Sequence, residues 1–324
     1  MTRRAFLSFA VAAAAQERAV QTVTGPVAAS SLGLTLMHEH VVTDLRDLAD
    51  RRPEDYDRED AIAVSLPHLA ELREAGAATL VEPTPLHIGR DLEALRALSL
   101  RTSLRIVGST GIYGAAEQRF IPDYARKETA ERLAERYLRE ITDGVGPDRV
   151  RPGLIKTGVN KGAPLPEIER KLVRAAALAG AQSGLTVASH TGPAAPALEE
   201  LGIIQAAGLA PERFIWVHAH NERDHALHHR LAKEGVWVEF DGLSERSADW
   251  HLACLRSMAE AGLLGKALLS QDAGWYRPGA ERGSRYRGYT YLLETFAPRL
   301  LRQGFSQAEL HQLLIKNPAR ALAG

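Results

Sequence analysis

Six side chains whose types could do chemistry recur along the chain, each beside the end of a short apolar run. They are His38 and His40 in His38-Glu39-His40, Lys156 after Leu154-Ile155, His190 after Ser189, His218 in His218-Ala219-His220, and Asp272 after Ser270-Gln271. Imidazoles and a carboxylate are borderline to hard donors that suit zinc, manganese, cobalt or iron. One histidine alone is more often a satisfied structural residue than a ligand, but donor types at five strand ends form a constellation. Lys156 admits three chemistries. It could be a cation paired with Asp272, a Schiff-base amine, or, after taking up carbon dioxide, a carbamate whose two oxygens bridge two cations. Cys254 is the chain's one cysteine, so neither an internal disulfide nor a Cys-x-x-Cys zinc or redox pattern can exist. It lies in a helical run and reads as core. No Gly-x-Ser-x-Gly elbow is present either.

Such donors act together only if the elements carrying them converge. Eight runs, 34–38, 77–83, 105–111, 153–157, 185–190, 214–218, 236–241 and 266–271, read as strands. Most are continuously apolar, as expected for parallel strands covered on both faces. Helical periodicity fills segments between them, as at 62–75, 129–141, 167–181, 224–234 and 248–261, and Gly76, Gly184 and Gly235 stand where C-terminal caps belong. Strand and helix alternating eight times predict an α/β fold, a (β/α)8 TIM barrel, whose strand carboxyl ends meet at one mouth. A doubly wound sheet would want a Gly-rich phosphate loop after its first strand, where His-Glu-His stands instead. Residues 275–289, rich in Gly and Arg, read as a long loop after the eighth strand.

The totals narrow the function classes. With 324 residues and 45% hydrophobic content the chain can bury a large core, which excludes disorder as the main state. Forty Lys+Arg balance forty Asp+Glu, without the basic excess of a nucleic-acid binder. No segment has 18 uninterrupted apolar residues, so stable membrane insertion is not expected. Residues 1–15, with Arg3-Arg4, Phe6-Leu7 and then an Ala-rich run ending Ala13-x-Ala15, read as a signal peptide resembling the twin-arginine type. The expectation is an exported, periplasmic or extracellular protein with residues 16–324 as one barrel, cytoplasmic if the signal is not used.

Several further segments carry a family resemblance. His38-x-His40 after Thr24-Gly25-Pro26, Val81-Glu82-Pro83-Thr84 leading to Ile88-Gly89-Arg90-Asp91, and Ser109-Thr110-Gly111-Ile112-Tyr113 resemble the phosphotriesterase family of the amidohydrolase superfamily. So do Gly153-Leu154-Ile155-Lys156, Ser189-His190-Thr191, Asp272 and Asn317-Pro318-Ala319-Arg320, together spanning about residues 20–324. The resemblance implies a binuclear centre of two divalent metal ions, zinc first, with manganese, cobalt or iron as alternatives. His38 and His40 would bind the buried metal with Asp272, His190 and His218 the outer one, and carboxylated Lys156 would bridge them. A bridging hydroxide would attack the substrate, with Asp272 orienting it and taking its proton.

Asn221 and Gly242 fall near the positions where organophosphate-degrading members carry an acidic residue and a histidine that shuttle the proton. Their absence here, although His220 and Asp241 are nearby, directs the expectation to lactones or carboxylic esters, with phosphotriesters as promiscuous substrates. Tyr113, Trp275, Tyr276 and Arg277 are the candidate substrate-binding residues. His225, His228 and His229 read as surface residues of a charged helix, and Glu39 as a structural carboxylate. A homodimer is the default for such barrels. The other classes are a Schiff-base lyase using Lys156 and an exported binding protein without catalysis.

Overall fold

A computed structural model describes residues 18–323; the expected leader, residues 1–15, lies outside them. Among the described residues, eight strands form one parallel sheet: β1 (Thr35–Leu36), β2 (Thr79–Glu82), β3 (Arg105–Thr110), β4 (Leu154–Gly158), β5 (Val187–His190), β6 (Phe214–Val217), β7 (Trp237–Phe240) and β8 (Ala267–Leu269). They pair strictly in chain order. Helices α1 (Arg58–Glu74), α2 (Leu92–Thr102), α3 (Ala130–Asp143), α4 (Glu167–Ser183), α5 (Ala194–Ala206), α6 (His225–Lys233) and α7 (Ala248–Glu260) cover the outside. This is the (β/α)8 barrel; seven of the eight apolar runs contain their strands, and β4 runs one residue past its run, to Gly158.

Local chemistry explains the boundaries. Asp57, Asp91, Thr129 and Asp224 stand at helix N-caps and accept hydrogen bonds from first-turn N–H groups. Gly184 takes φ +76° to end α4, a backbone state that a Cβ would strain.

The strands alternate between two apolar layers. Residues such as Ile106, Ile155 and Val238 pack outward beneath the helices, while Met37, Val81, Val107, Leu154, Ile215, Trp237 and Leu268 fill the barrel interior. Ala321 and Leu322 of the C-terminal helix Asn317–Ala323 join the interior cluster at its floor. Asn317, in the closing Asn-Pro-Ala-Arg segment, anchors that helix by donating to the carbonyls of Leu264 and Ala267 at 2.8 and 2.7 Å.

The seam between first and last strands closes at the mouth. His40–Val42 pairs in parallel with Gly274–Tyr276, and the Asp272 N–H donates to the His38 carbonyl at 3.0 Å. Glu39 finishes the seam, its carboxylate accepting from Ser270 Oγ, Gln271 N and Ala273 N. The segment expected to be a loop from 275 onward therefore begins inside a strand, because backbone groups at an open seam need partners. An antiparallel hairpin, Ala19–Thr22 with Gly25–Ala28, precedes the barrel. Among the described residues no helix is long and apolar enough to cross a membrane.

Candidate metal centre

The six residues singled out by type come together around one cavity of about 90 Å³, walled further by Tyr113, Trp275, Thr43, Leu45, Pro85 and Ile88. His38 and His40 follow β1, Lys156 lies in β4, His190 ends β5, and His218 and Asp272 follow β6 and β8. His218 and Asp272 have φ of +61° and +53°, a left-handed backbone costly for residues with a Cβ. Such strain, about 1–3 kcal/mol each, persists only where the surroundings impose it.

Hydrogen bonds fix which nitrogen each imidazole offers. His38 Nδ1 lies 3.2 Å from Glu239 Oε2 and 3.1 Å from Asp241 Oδ2, so it carries the proton and donates. His218 Nδ1 donates to Asp241 Oδ1 at 2.6 Å. His40 Nδ1 meets Thr84 Oγ1 at 2.6 Å, and that hydroxyl donates to Glu82. When these rings are neutral, Nε2 of each is a lone pair, the arrangement by which such partners orient metal-binding histidines.

The lone pairs face one another. His38 Nε2 is 3.2 Å from His40 Nε2, and His40 Nε2 is 3.2 Å from Asp272 Oδ1, an oxygen buried without a hydrogen-bond partner. Acceptors crowded this closely call for a positive charge between them. Burial works against a protonated His40, yet Asp272 and Glu82 outweigh it and lift the ring to about 9. Burial and then Lys156 push His38 down to about 3, and burial and then His218 push His190 well below its usual range. A divalent cation satisfies the same demand while leaving the imidazoles neutral. The donor set therefore fits a metal, and His38, His40 and Asp272 can hold one. His38, His218 and Asp241 also converge, but at hydrogen-bond distances that leave an ion no room.

Lys156 Nζ is buried and has no hydrogen-bond partner among the described residues. Burial lowers its pKa, with the carboxylates of Glu239 and Asp241 opposing. Burial and the neighbouring Asp241 push Glu239 well above the usual carboxylate range; burial pushes Asp241 the same way, but His218 and His38 outweigh it and hold Asp241 well below that range.

The four candidate substrate residues divide. Tyr113 lines the cavity with its ring 5.1 Å from that of His190, and Trp275 sits edge-on to His40 at 5.4 Å. Tyr276 points away, its hydroxyl donating to Asp60 of α1 at 2.8 Å. Arg277 lies over the Trp275 ring and lines a separate surface depression with Arg46. Trp275, at φ +83°, turns its ring to the cavity, while Tyr276 pairs with Val42 and faces α1. His228 corrects another expectation: it is fully buried, packed on Trp216 and Phe240, while His225 and His229 are half-buried.

Sequence reasoning assigned no metal-orienting role to Glu82, Thr84, Glu239 or Asp241. Their signal was available: Glu239 and Asp241 follow the apolar run Val236-Trp237-Val238 on either side of Phe240, and Glu82 follows Leu80-Val81. Carboxylates in strands buried on both faces need partners.

A (β/α)8 barrel with imidazoles and carboxylates gathered at its carboxyl mouth defines a class of metal-dependent catalysts. The sequence model of the phosphotriesterase family matches residues 18–322. The chain belongs to that family. It is similar to a phosphotriesterase homology protein of Escherichia coli K12, 30% identical over 89% of this chain and 97% of the relative. An N-acetyltaurine hydrolase of Salmo salar is 25% identical over 94% of this chain and 97% of its own length. A phospho-furanose lactonase of Mycoplasmopsis synoviae is 26% identical over 95% and 92%. Family and relatives together make it a hydrolase.

Proposed function

We propose that the chain is a binuclear metal-dependent hydrolase of lactones or carboxylic esters, with phosphotriesters as promiscuous substrates. The observation that carries this reading is the convergence of three Nε2 lone pairs, the unpartnered Lys156 Nζ and the unpartnered Asp272 Oδ1 on one small cavity. His38, His40 and Asp272 would hold one cation and His190 and His218 the other, with Lys156, carboxylated by carbon dioxide, as the ligand shared between them. Zinc suits the donors best, with manganese, cobalt and iron as alternatives. Bound there, two divalent cations polarise a carbonyl oxygen and acidify a water towards neutral pH. Asp272, whose carboxylate lines the cavity, would orient a water there and accept its proton. Tyr113 and Trp275 wall the substrate, while Leu45, Pro85 and Ile88 give the cavity an apolar side. The lactonase name of one relative favours lactones.

A screen of lactones, aryl esters and phosphotriesters on the metal-loaded protein tests the reading. Lactone or ester turnover that disappears on chelation and returns with zinc or manganese supports it; turnover indifferent to chelation sinks it. Lys156→Ala should lose metal and activity, with partial rescue by a short carboxylic acid. The buried, unpartnered Lys156 amine also favours a second reading, a Schiff-base lyase, which borohydride trapping with a carbonyl substrate would reveal.

Export by residues 1–15 belongs to the same proposal and is checked by the N-terminal sequence of the protein recovered outside the cytoplasm. A homodimer is checked by light scattering, where a monomer at working concentration removes it.

A further inference from the structure

The chain's single cysteine lies outside the mouth, in a second cluster of donors between two helices. His225 and His228 stand three residues apart on one face of α6, and Cys254 faces them from α7. The donor atoms of these three side chains all lie within 4.8 Å of one another. His228 Nε2 is 2.8 Å from the Ala219 carbonyl, which can only accept, so that nitrogen carries the proton and Nδ1 is left as a lone pair. This is again the backbone-carbonyl contact that fixes the tautomer of a metal-binding histidine. His228 Nδ1 is aimed at His225 Nδ1, 3.4 Å away. That is long for a hydrogen bond, but near the roughly 3.3 Å that separates two imidazole nitrogens on one tetrahedral zinc.

Burial and orientation complete the case. Cys254 and His228 are fully buried, while His225 is half-buried and stacks flat on Trp250, its ring centroid 5.0 Å away. The cluster therefore has two donors fixed in the packed layer and a third at its solvent edge, where an ion could enter. It also backs the turn after β6: His228 holds the Ala219 carbonyl, and Trp250 Nε1 donates to the His220 carbonyl at 2.7 Å. An ion here would sit one hydrogen bond from the turn that presents His218.

We propose that His225, His228 and Cys254 form a further metal site, separate from the mouth, for a thiophilic divalent cation such as zinc. Binding breaks the Cys254 S–H bond, forms a sulfur–metal bond and releases the proton to solvent. Two imidazoles and one thiolate leave the fourth tetrahedral position to water.

Cobalt(II) distinguishes this site from the mouth, because only sulfur ligation gives intense near-ultraviolet charge-transfer absorption and the chain has one sulfhydryl. Titrating the full chain with cobalt(II) should produce that band, and zinc should bleach it. Cys254→Ser should abolish the band while retaining the cations and turnover of the mouth. His225→Ala, at a half-buried position, should weaken cobalt binding at this site by about ten-fold or more, the scale on which even supporting contacts matter. Cobalt-saturated wild type without the band, or a band equally strong and equally tight in His225→Ala, would overturn the proposal. Failure of the mouth to bind two ions would leave the sulfur band untouched.

Discussion

The two ends of the barrel are built on the same strands with opposite chemistry. Within β4, Leu154 belongs to the apolar interior and Lys156, one pleat on, reaches the mouth cavity; β8 carries Leu268 inside, and Asp272 follows it. The floor is plugged by Ala321 and Leu322. The mouth instead buries His38, Lys156, Glu239 and Asp241 together, with left-handed backbone at His218 and Asp272. The floor supplies stability from packing, and the mouth spends some of it holding polar groups in one geometry.

If that division is right, mutations at the two ends should separate activity from stability. Asp272→Asn is expected to have the largest effect, reducing turnover to background while thermal unfolding changes little. Loss of fold in this variant would break the division. Leu268→Ala, at the floor, should cost about 2–5 kcal/mol of stability and leave kcat/KM of the folded fraction near wild type. An equal loss of kcat/KM would show that the layers are not independent.

Smaller changes sharpen the contrast. Asp241→Asn keeps the shape but removes the charge that orients His38 and His218, so metal affinity should fall by about 10–100-fold. Unchanged affinity in a metal titration would remove its positioning role.

The smallest expected effect is a pH slope. Glu200 in α5 is buried beneath β5, where Ser189 and Thr191 donate to it, and burial lifts its pKa from 4.5 to about 8. The folded state therefore binds more protons than the unfolded chain between these values. Its contribution to stability is complete below pH 4.5 and is lost as pH rises through about 8. Glu200→Gln should flatten the fall of Tm across that window by a few degrees, and identical slopes in both proteins would rule this out.

The sequence made the fold legible because parallel strands buried on both faces leave unbroken apolar runs, and the changes of type at His38, Lys156, His190, His218 and Asp272 mark where those runs reach the mouth. What it hid was contact across strands. Nothing near His38 in the chain announces Asp241, and nothing local turns Tyr276 towards Asp60. His228 looked exposed because its neighbours are charged, yet its place on α6 faces Trp216 and Phe240. The N-terminal hairpin escaped notice because its strands are partly exposed and leave no unbroken apolar run.

The Glu39 clasp has a consequence for the order in which the molecule is completed. It joins groups 232 residues apart, near the two ends of the chain. Closing so long a loop is entropically costly and comes late in folding. His38 and His40 stand on one side of that seam and Asp272 on the other. Only when the last strand locks beside the first do all three donors that could hold a cation stand in one place.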